Sequence, residues 1–429
     1  MANYTKPRLF GFQRNANLYL ATTSLSSLAQ GAYGVIQGLY ILAMGFDETV
    51  LGTILSVRMM AAAACAIPIG MISDRLGRKL VLVAGGVLTT VGYLGMAVSS
   101  EPGMMILFSC LVGIAQVCQA TSGAPLLAES STGEDRAKLF GVHFSLSMFV
   151  SMVGSMLGGF LPKQLASLGT VAAFKSSLVV FALVTLIGVV PAVQIKEMRR
   201  PDTGYSVSRN GREMRAAIGA EIKAEFSAVI DTARERNVQN LLCYNLIIGF
   251  GAGLVIPFFN VFLSQKLGVD TALVGLILSL SQGATAIAAL LAPVLANRYG
   301  KVATVVGTQM ASVPFLLLIA LPPNVYLVTM ALFMRSSLMN MSNPVASTFS
   351  MEIVDASRRG KMSSLMRISD NVSRSFSAAV AGYIMFRLGY EVPYFFTAAL
   401  YLLASYVYWK SFRGVEQTEH EQSGGSVSV

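Results

Sequence analysis

Charged residues are scarce in this chain of 429 residues: Asp, Glu, Lys and Arg make up 13% of it, against about 25% in soluble globular proteins. Hydrophobic residues make up 54%, and the mean hydropathy is +0.61. A soluble enzyme of this size needs more polar surface than this composition supplies, and the composition also excludes a disordered chain. The shortage of charge therefore indicates a membrane protein.

Histidine and cysteine are also few. The two histidines, His143 and His420, and the four cysteines form no CxxC pair and no His/Cys cluster. Zinc sites and disulfide frameworks need such groupings, so we expect neither a metal nor disulfides. The sequence also has no nucleophile–base pair and no phosphate-binding loop. An enzyme is therefore disfavoured, and no cofactor is expected.

Twelve apolar stretches are each long enough to cross a bilayer, which takes about 20 helical residues. We number them spans 1 to 12 in chain order: 17–44, 49–72, 80–99, 103–127, 139–162, 173–195, 238–263, 271–296, 301–321, 324–350, 363–386 and 390–411. The first is too long for the apolar region of a cleavable signal peptide. The sequence predicts an all-α membrane protein with twelve transmembrane helices.

Lys and Arg are distributed unevenly around these spans. The segments on the same side as the N-terminus, which we call the basic side, carry 24 of the 32, and those on the opposite side carry four. Basic residues concentrate in cytoplasmic segments, so we expect both termini in the cytoplasm of a multi-pass protein of the plasma (bacterial inner) membrane. The net charge of +10 is then a topology signal, and nucleic acid is not expected as a partner.

The second half of the chain repeats the first at an offset of 223 residues. Asp74-Arg75-Leu76-Gly77-Arg78-Lys79 after span 2 corresponds to Asn297-Arg298-Tyr299-Gly300-Lys301 after span 8. The same offset relates Glu129 to Glu352, Arg136 to Arg359, and Gly159 to Gly382. Several unrelated features that share one offset indicate a tandem duplication of a six-helix unit.

One long polar stretch divides the spans six and six. We predict an N-terminal six-helix bundle (1–195), a cytoplasmic linker (196–237), a C-terminal six-helix bundle (238–413) and a polar cytoplasmic tail (414–429). Within the linker, apolar residues recur every four positions and predict an amphipathic helix at the membrane surface; they are Met214, Ile218, Ile222, Phe226 and Ile230.

The stretch Gly70-Met71-Ile72-Ser73-Asp74-Arg75-Leu76-Gly77-Arg78-Lys79 resembles the signature loop between helices 2 and 3 of the major facilitator superfamily. Helix number, linker and repeat agree with that family over nearly the whole chain. The resemblance implies two pseudo-symmetric six-helix bundles around one cavity, and secondary transport of a small solute by alternating access. It also implies that this loop latches the two halves on the cytoplasmic side when the cavity opens outward.

The resemblance has departures. The second copy has Pro293 where the first has Gly70, and Asn297 where the first has Asp74. Ser109 stands where proton-coupled drug exporters of the family have an arginine, which puts export coupled in that way in doubt. We assign gating to the loop and to the charged residues repeated after spans 4 and 10: Gly70, Asp74, Arg75, Gly77, Arg78, Arg298, Glu129, Arg136, Glu352 and Arg359.

Four arginines and one carboxylate lie away from the ends of the spans, where each charge costs about 2.5–3.5 kcal/mol on insertion scales. Two interpretations are open. Arg58, Arg335 and Arg374 bind an anionic group of the solute, since arginine offers a fork of donors to carboxylate or phosphate. Alternatively, Asp370 forms gating ion pairs with Arg374 or Arg58, while Arg367 extends towards the headgroups.

The resemblance places spans 1, 4, 7 and 10 at the cavity. We therefore expect solute contacts from these residues, beside the three arginines: Gln30, Tyr33, Gln37, Asn260 and Asn340. Asp370, the single acidic side chain away from the span ends, is the expected site of any proton coupling, with His143 as the other candidate. The 22 methionines fit an adaptable apolar lining, which together with the arginines favours an amphipathic or anionic solute.

Export is slightly favoured over uptake. The alternatives are a polyspecific exporter of drugs or lipophiles and a non-transporting membrane sensor on the same fold. A metal exporter is disfavoured because the spans carry no clustered His, Cys and carboxylates. We expect a monomer whose partners are a small solute, membrane lipids and, as a candidate coupling ion, the proton.

Overall fold

A computed structural model describes residues 12–131, 135–196, 227, 229–321, 324–355 and 358–424, of which 415–424 are described by their backbone alone. All regular structure in these ranges is helical. The helices follow the twelve predicted spans and form two six-helix bundles, which confirms the predicted fold class. Four residues of the predicted linker helix, namely Met214, Ile218, Ile222 and Phe226, lie outside the described residues, and Ile230 is exposed.

The spans have the following helical bounds. In the N-terminal half they are Arg14–Ala43, Glu48–Leu76, Arg78–Val98, Pro102–Glu129, Arg136–Gln164 and Thr170–Gln194. In the C-terminal half they are Arg236–Lys266, Thr271–Ala289 with Ala292–Tyr299, Lys301–Ala320, Val325–Met341 with Asn343–Glu352, Arg359–Leu388 and Val392–Gly424. The last helix thus continues past residue 414, where we predicted a tail.

Spans 8 and 10 are each interrupted, whereas the sequence predicted continuous helices. A new helical segment begins beside Pro293 in span 8 and beside Pro344 in span 10. Proline has no amide hydrogen for the preceding turn and fits best in the first turn of a helix, so each proline restarts the helix. Span 7 is also irregular: a 3₁₀ turn at Ile256–Phe258 contains Pro257, and a π turn follows at Phe262–Lys266.

In the described part of the chain, three spans do not meet the limits of length and apolar composition for a membrane-crossing helix, and span 10 misses them on length, because its first segment has 17 residues. Among the described residues, nine helices are apolar and long enough to cross a membrane by composition and length alone; they are spans 2 to 9 and span 12. Spans 1, 10 and 11 fall below that limit, and all three line the cavity between the halves with polar residues such as Gln30, Arg335 and Arg374. Their polar faces are therefore turned away from lipid.

Two pairs of glycines bring the halves into backbone contact near the opposite side. Gly52 of span 2 meets Gly382 of span 11, and Gly275 of span 8 meets Gly159 of span 5. A Cβ atom on Gly159 would lie 2.4 Å from the Thr271 carbonyl oxygen and 2.7 Å from the Cα of Gly275. Because Cβ atoms do not come this close to backbone atoms, only glycine permits this approach. We call these four residues the glycine seal.

The two crossings of the glycine seal are copies of each other. The offset of 223 residues relates Gly52 to Gly275 and Gly159 to Gly382. The surroundings repeat as well: a Cβ atom on Gly52 would lie 2.6 Å from the carbonyl oxygen of Ala378, and one on Gly275 would lie 2.6 Å from that of Ser155, which is the repeat equivalent of Ala378. The pseudo-twofold axis between the bundles therefore relates the two crossings.

Polar contacts between the halves lie at the same end of the molecule. The Lys163 ammonium lies 3.2 Å from the Asp270 carboxylate, and the Asn260 amide donates to the Val35 carbonyl at 2.9 Å. The amide of Leu273 and, secondarily, Lys163 lower the pKa of the Asp270 carboxyl. Within the described ranges, every hydrogen bond or ion pair between the halves lies in the part of each span nearer the opposite side. Among the described residues, the molecule is thus closed at the opposite side and open at the basic side.

We expect Gly159→Ala to destabilise the protein by about 1–3 kcal/mol, because the added methyl group must displace backbone atoms of span 8. The measurement is thermal unfolding of the purified protein. Gly141→Ala in the same helix is the matched control, since no atom lies within 4 Å of its added Cβ. Equal unfolding midpoints for the two variants would show that the crossing adjusts without cost.

Candidate functional site

A cavity of about 950 Å³ lies between the two halves. The glycine seal bounds it towards the opposite side, and spans 1, 2, 5, 7, 8, 10 and 11 form its walls. Its lining includes three arginines and, among the described residues, no Asp or Glu; the arginines are Arg58, Arg335 and Arg374. Apolar side chains such as Phe144, Met148 and Leu278 form other parts of the wall. This central cavity is therefore both positively charged and partly apolar.

Arg58 approaches the cavity from span 2. One of its terminal nitrogens donates to the Gln37 side-chain oxygen at 2.8 Å. Its guanidinium carbon lies 5.9 Å from the centre of the Tyr33 ring, and Tyr33 stacks on Tyr93 with ring centres 4.1 Å apart. In the described part of the chain no carboxylate lies within ion-pair distance. Neutral groups thus hold Arg58 in place and leave its charge uncompensated.

Arg335 is the most deeply buried charged side chain of the described residues, with 1% of its surface exposed. It donates to the Tyr401 hydroxyl at 2.6 Å, and its guanidinium carbon lies 5.4 Å from the Phe259 ring centre and 5.7 Å from that of Tyr401. Its Nε atom has no hydrogen-bond partner in the described structure. Cation–π contacts recover part of the cost of burial, but a buried charge without a counter-ion remains expensive.

Arg374 differs from the other two because it has a carboxylate partner. Its Nε atom donates to both oxygens of Asp370, at 2.8 and 2.9 Å. The two residues are one turn apart on span 11. No other contact of the Arg374 guanidinium is recorded among the described residues, and Arg374 lines the central cavity. Asp370 is therefore paired with Arg374 within one helix, and a gating role for this pair stays a prediction.

Other predicted solute contacts have different positions. Gln30, Gln37, Asn260 and Asn340 all line the central cavity. Asn260 uses its amide nitrogen to bind the Gly34 and Val35 carbonyls of span 1, so in this conformation it joins the halves. Tyr33 is buried behind Arg58 and does not line the cavity.

His143 lies apart from the cavity. Its ring nitrogen is 3.5 Å from the hydroxyl groups of Thr23 and Ser147, and its ring centre is 5.3 Å from that of Tyr19. All of these residues belong to the N-terminal half, whereas Asp370 contacts Arg374 in the C-terminal half. The structure does not bring the two candidate coupling residues together.

The signature loop forms contacts within one half. Gly77 takes a φ of +99°, a backbone conformation that favours glycine. Arg78 forms an ion pair with Glu129 at the end of span 4, and its guanidinium lies 3.9 Å from the Asp74 carboxylate. The second half repeats this arrangement at the same offset: Gly300 has a φ of +91°, and Lys301 binds Glu352 at 2.5 Å. The latch between the halves stays a prediction, since this conformation is open on the basic side.

The remaining gating candidates lie near these ion pairs. Arg136 donates to the Ala128 carbonyl at 3.4 Å, and its repeat equivalent Arg359 donates to the Met351 carbonyl at 3.0 Å. Arg298 lies over the Tyr299 ring, and Arg367 is exposed. Gly70 and Arg75 lie at the basic end of span 2, where a Cβ atom on Gly70 would meet no atom within 4 Å.

Sequence reasoning missed one residue of the central cavity wall, Gln282, and one residue that holds a cavity arginine from behind, Tyr401. Gln282 of span 8 donates to the Ser155 hydroxyl at 2.8 Å, across the interface between the halves. Tyr401 of span 12 binds Arg335, and it is fully buried together with Tyr394 and Tyr408. The spacing of these tyrosines, seven residues, places them on one helix face, and that spacing was the available signal.

Solved structures of transporters share this architecture. The nucleoside transporter NupG aligns with a TM-score of 0.70 at 15% identity, over 93% of this chain and 99% of that one. A bacterial homologue of the human lysosomal transporter Spinster, in its inward-facing and unoccupied conformation, aligns with a TM-score of 0.70 at 16% identity, over 93% of this chain and 98% of that one. The fold is that of a twelve-span membrane transporter.

The sequence profile of the Major Facilitator Superfamily matches residues 19–228 and 241–428. The chain belongs to this superfamily, which is a family of membrane transporters.

The curated relatives match over short stretches. Tetracycline resistance protein, class C, of Escherichia coli is 36% identical over 113 residues, which are 26% of this chain and 28% of that protein. Multidrug resistance protein MdtH of Klebsiella pneumoniae is 27% identical over 119 residues, 28% of this chain and 29% of that protein. The matches span less than a third of each relative, so they do not assign a solute.

We expect Arg335→Met to leave the unfolding midpoint unchanged or to raise it, because an apolar side chain of similar size removes a buried charge that lacks a counter-ion. Thermal unfolding of the purified protein without solute measures this, with Arg387→Met at the exposed end of span 11 as control. A fall of several degrees for Arg335→Met alone would show that the arginine is required for the fold.

Proposed function

We propose that this protein is a secondary transporter that moves an anionic, amphipathic solute across the membrane by alternating access. The observation that carries the proposal is the charge of the central cavity. Its lining contains three arginines and, among the described residues, no Asp or Glu. Two of them, Arg58 and Arg335, have no carboxylate partner there. An anion in the cavity would supply the missing counter-charge.

The geometry supports a carboxylate or phosphate as the anionic group. Arginine donates through a planar fork that matches these groups. Arg374 uses Nε for Asp370, so its terminal nitrogens are available to a solute. The apolar wall around Phe144, Met148 and Leu278 then suits the apolar part of an amphipathic molecule.

We further propose that the basic side faces the cytoplasm of a plasma (bacterial inner) membrane. The distribution of Lys and Arg among the segments between spans supports this orientation. With that orientation, the open cavity faces inward, and the glycine seal closes the outer side. Transport then requires opening of the seal and closure of the basic side, where the signature loop lies.

A polyspecific exporter of lipophilic compounds is the second candidate. The names of the relatives from Escherichia coli and Klebsiella pneumoniae, which refer to tetracycline and multidrug resistance, favour it. In that case the arginines serve as structural or gating groups and not as solute ligands. A panel of ligands of different charge separates the two candidates.

In such a panel, we expect organic carboxylates and phosphates to raise the unfolding midpoint of the purified protein, by about 2.7 kcal/mol of stabilisation at a ligand concentration of 100 times Kd. Arg58→Gln should weaken the binding about tenfold or more, since a hydrogen bond to a charged group contributes about 1.5–3 kcal/mol. Arg387→Gln, remote from the cavity lining, is the control. Stabilisation by lipophilic cations, with all variants responding like the parent protein, would favour the polyspecific exporter.

We also propose that any proton coupling runs through Asp370. It is the single acidic side chain in the interior of a described span, and its ion pair with Arg374 adjoins the cavity. We expect Asp370→Asn in proteoliposomes to abolish solute accumulation driven by a pH gradient while solute equilibration without a gradient continues. His143→Asn, in the same assay, should retain the pH-driven transport. Full pH-driven accumulation by Asp370→Asn would contradict this role.

A further inference from the structure

A second cavity lies inside the C-terminal bundle, beside the central one. Its volume is about 280 Å³, close to the lower end of the range for small-molecule sites, about 300–1,000 Å³. Spans 7, 9, 10, 11 and 12 surround it. Four residues line both cavities, namely Ile256, Asn340, Asn343 and Arg374. We call this second space the inner pocket; these four residues separate it from the central cavity and belong to the lining of both.

The duplication provides an internal comparison for the inner pocket. Three of its residues correspond, at the offset of 223, to residues around a small void in the N-terminal bundle: Asn245 to Thr22, Gln309 to Gly86, and Tyr408 to Thr185. That void measures about 10 Å³, no more than one water molecule occupies. The fold itself therefore does not require a cavity at this position.

The difference in volume is opposite to what side-chain size alone produces. At two of the three positions the C-terminal half carries the larger side chain, Gln309 against Gly86 and Tyr408 against Thr185, and Asn245 is similar in size to Thr22, yet the C-terminal cavity is far larger. At the positions of Asp370 and Arg374, the N-terminal half has Ser147 and Ser151. The C-terminal bundle thus keeps an open, polar space that its own repeat has filled.

The polar groups of the inner pocket favour a neutral ligand that donates hydrogen bonds. The amide nitrogens of Asn245, Asn340 and Asn343 bind the Met366 carbonyl, the Ser336 carbonyl and the Asn340 side-chain oxygen, respectively. The side-chain oxygens of Asn245 and Asn343 have no recorded partner in the described structure. Asp370 adds a carboxylate, whose charge Arg374 balances. Acceptors are therefore available in the wall, and the net charge is zero.

We propose that the inner pocket binds a neutral ring with several hydrogen-bond donors, as in a sugar or a nucleobase, attached to the anionic group that the arginines hold. This inference rests on the proposed function and narrows the solute class. Arg374 is the link between the two sites: its Nε faces Asp370 of the inner pocket, and its remaining nitrogens are available to an anion in the central cavity. A solute with both parts would occupy the two spaces at once.

The test compares anions with and without a ring in direct binding to the purified full-length protein. The probes are glucose 6-phosphate and uridine monophosphate against butyl phosphate, and glucuronate against butyrate. We expect at least one ring-bearing anion to bind ten times or more as tightly as its acyclic counterpart. The sugar and nucleotide probes distinguish the two sources of the ring.

Two substitutions address the inner pocket without changing an arginine. Ala346→Leu adds volume at its wall, and Asn245→Leu removes an acceptor at similar size. Each should abolish the tenfold advantage of the ring-bearing anion and leave the affinity for the acyclic anion within twofold. Thr22→Val, at the repeat equivalent of Asn245, should change neither affinity, since the Thr22 hydroxyl has no hydrogen-bond partner in the described structure.

The outcomes separate this inference from the proposed function. Equal binding of ring-bearing and acyclic anions, or an equal loss for both in Ala346→Leu and Asn245→Leu, overturns the inner-pocket proposal alone. If none of the anions binds, or if Arg58→Gln leaves all affinities unchanged, the proposed function fails and this inference fails with it.

Discussion

The close approach of four glycines is the contact on which the arrangement of the two halves depends. Each crossing brings backbone against backbone, at distances that leave no room for a Cβ atom. In a bilayer no hydrophobic effect drives helices together, so van der Waals packing of small residues at close range holds the bundles together. The hydrogen bonds from Asn260, Ser56 and Gln282 lie near these crossings and constrain the relative orientation of the two halves. Closure at this one end leaves the central cavity between the halves on the side towards the basic end.

The cavity in turn is organised by charge that the protein does not balance. A carboxylate near Arg335 would lower the cost of burying it, yet the described structure surrounds its guanidinium with Phe259 and Tyr401 instead. Arg374, by contrast, has Asp370. A buried, unbalanced charge such as that of Arg335 interacts more strongly with an incoming anion than an exposed charge does. The protein thus gives up stability at the site where we propose that it binds its solute.

The sequence predicted the fold well because its signals are long and redundant: twelve apolar stretches, a strong bias of Lys and Arg, and an offset shared by several motifs. It predicted less of the site. The arginines were visible as charges within spans, but neither their burial nor the choice of Arg374 as partner of Asp370 follows from spacing alone, because Arg58 was an equal candidate. Tyr401 was missed because a tyrosine in an apolar span is usual. The breaks in spans 8 and 10 were missed although Pro293 and Pro344 were there to indicate them.

The position of the glycine seal also determines how far the distant end of each span moves when the halves tilt. Gly159 lies close to one end of span 5, 23 residues from Arg136 at the other end, and a helix of that length extends about 35 Å. A tilt of about 10° at the crossing would move the far end by roughly 6 Å. While the crossing holds, before the seal opens, the spans would thus act as long levers that pivot near one membrane surface. Small adjustments among a few backbone atoms there are converted into a wide change of aperture at the other surface.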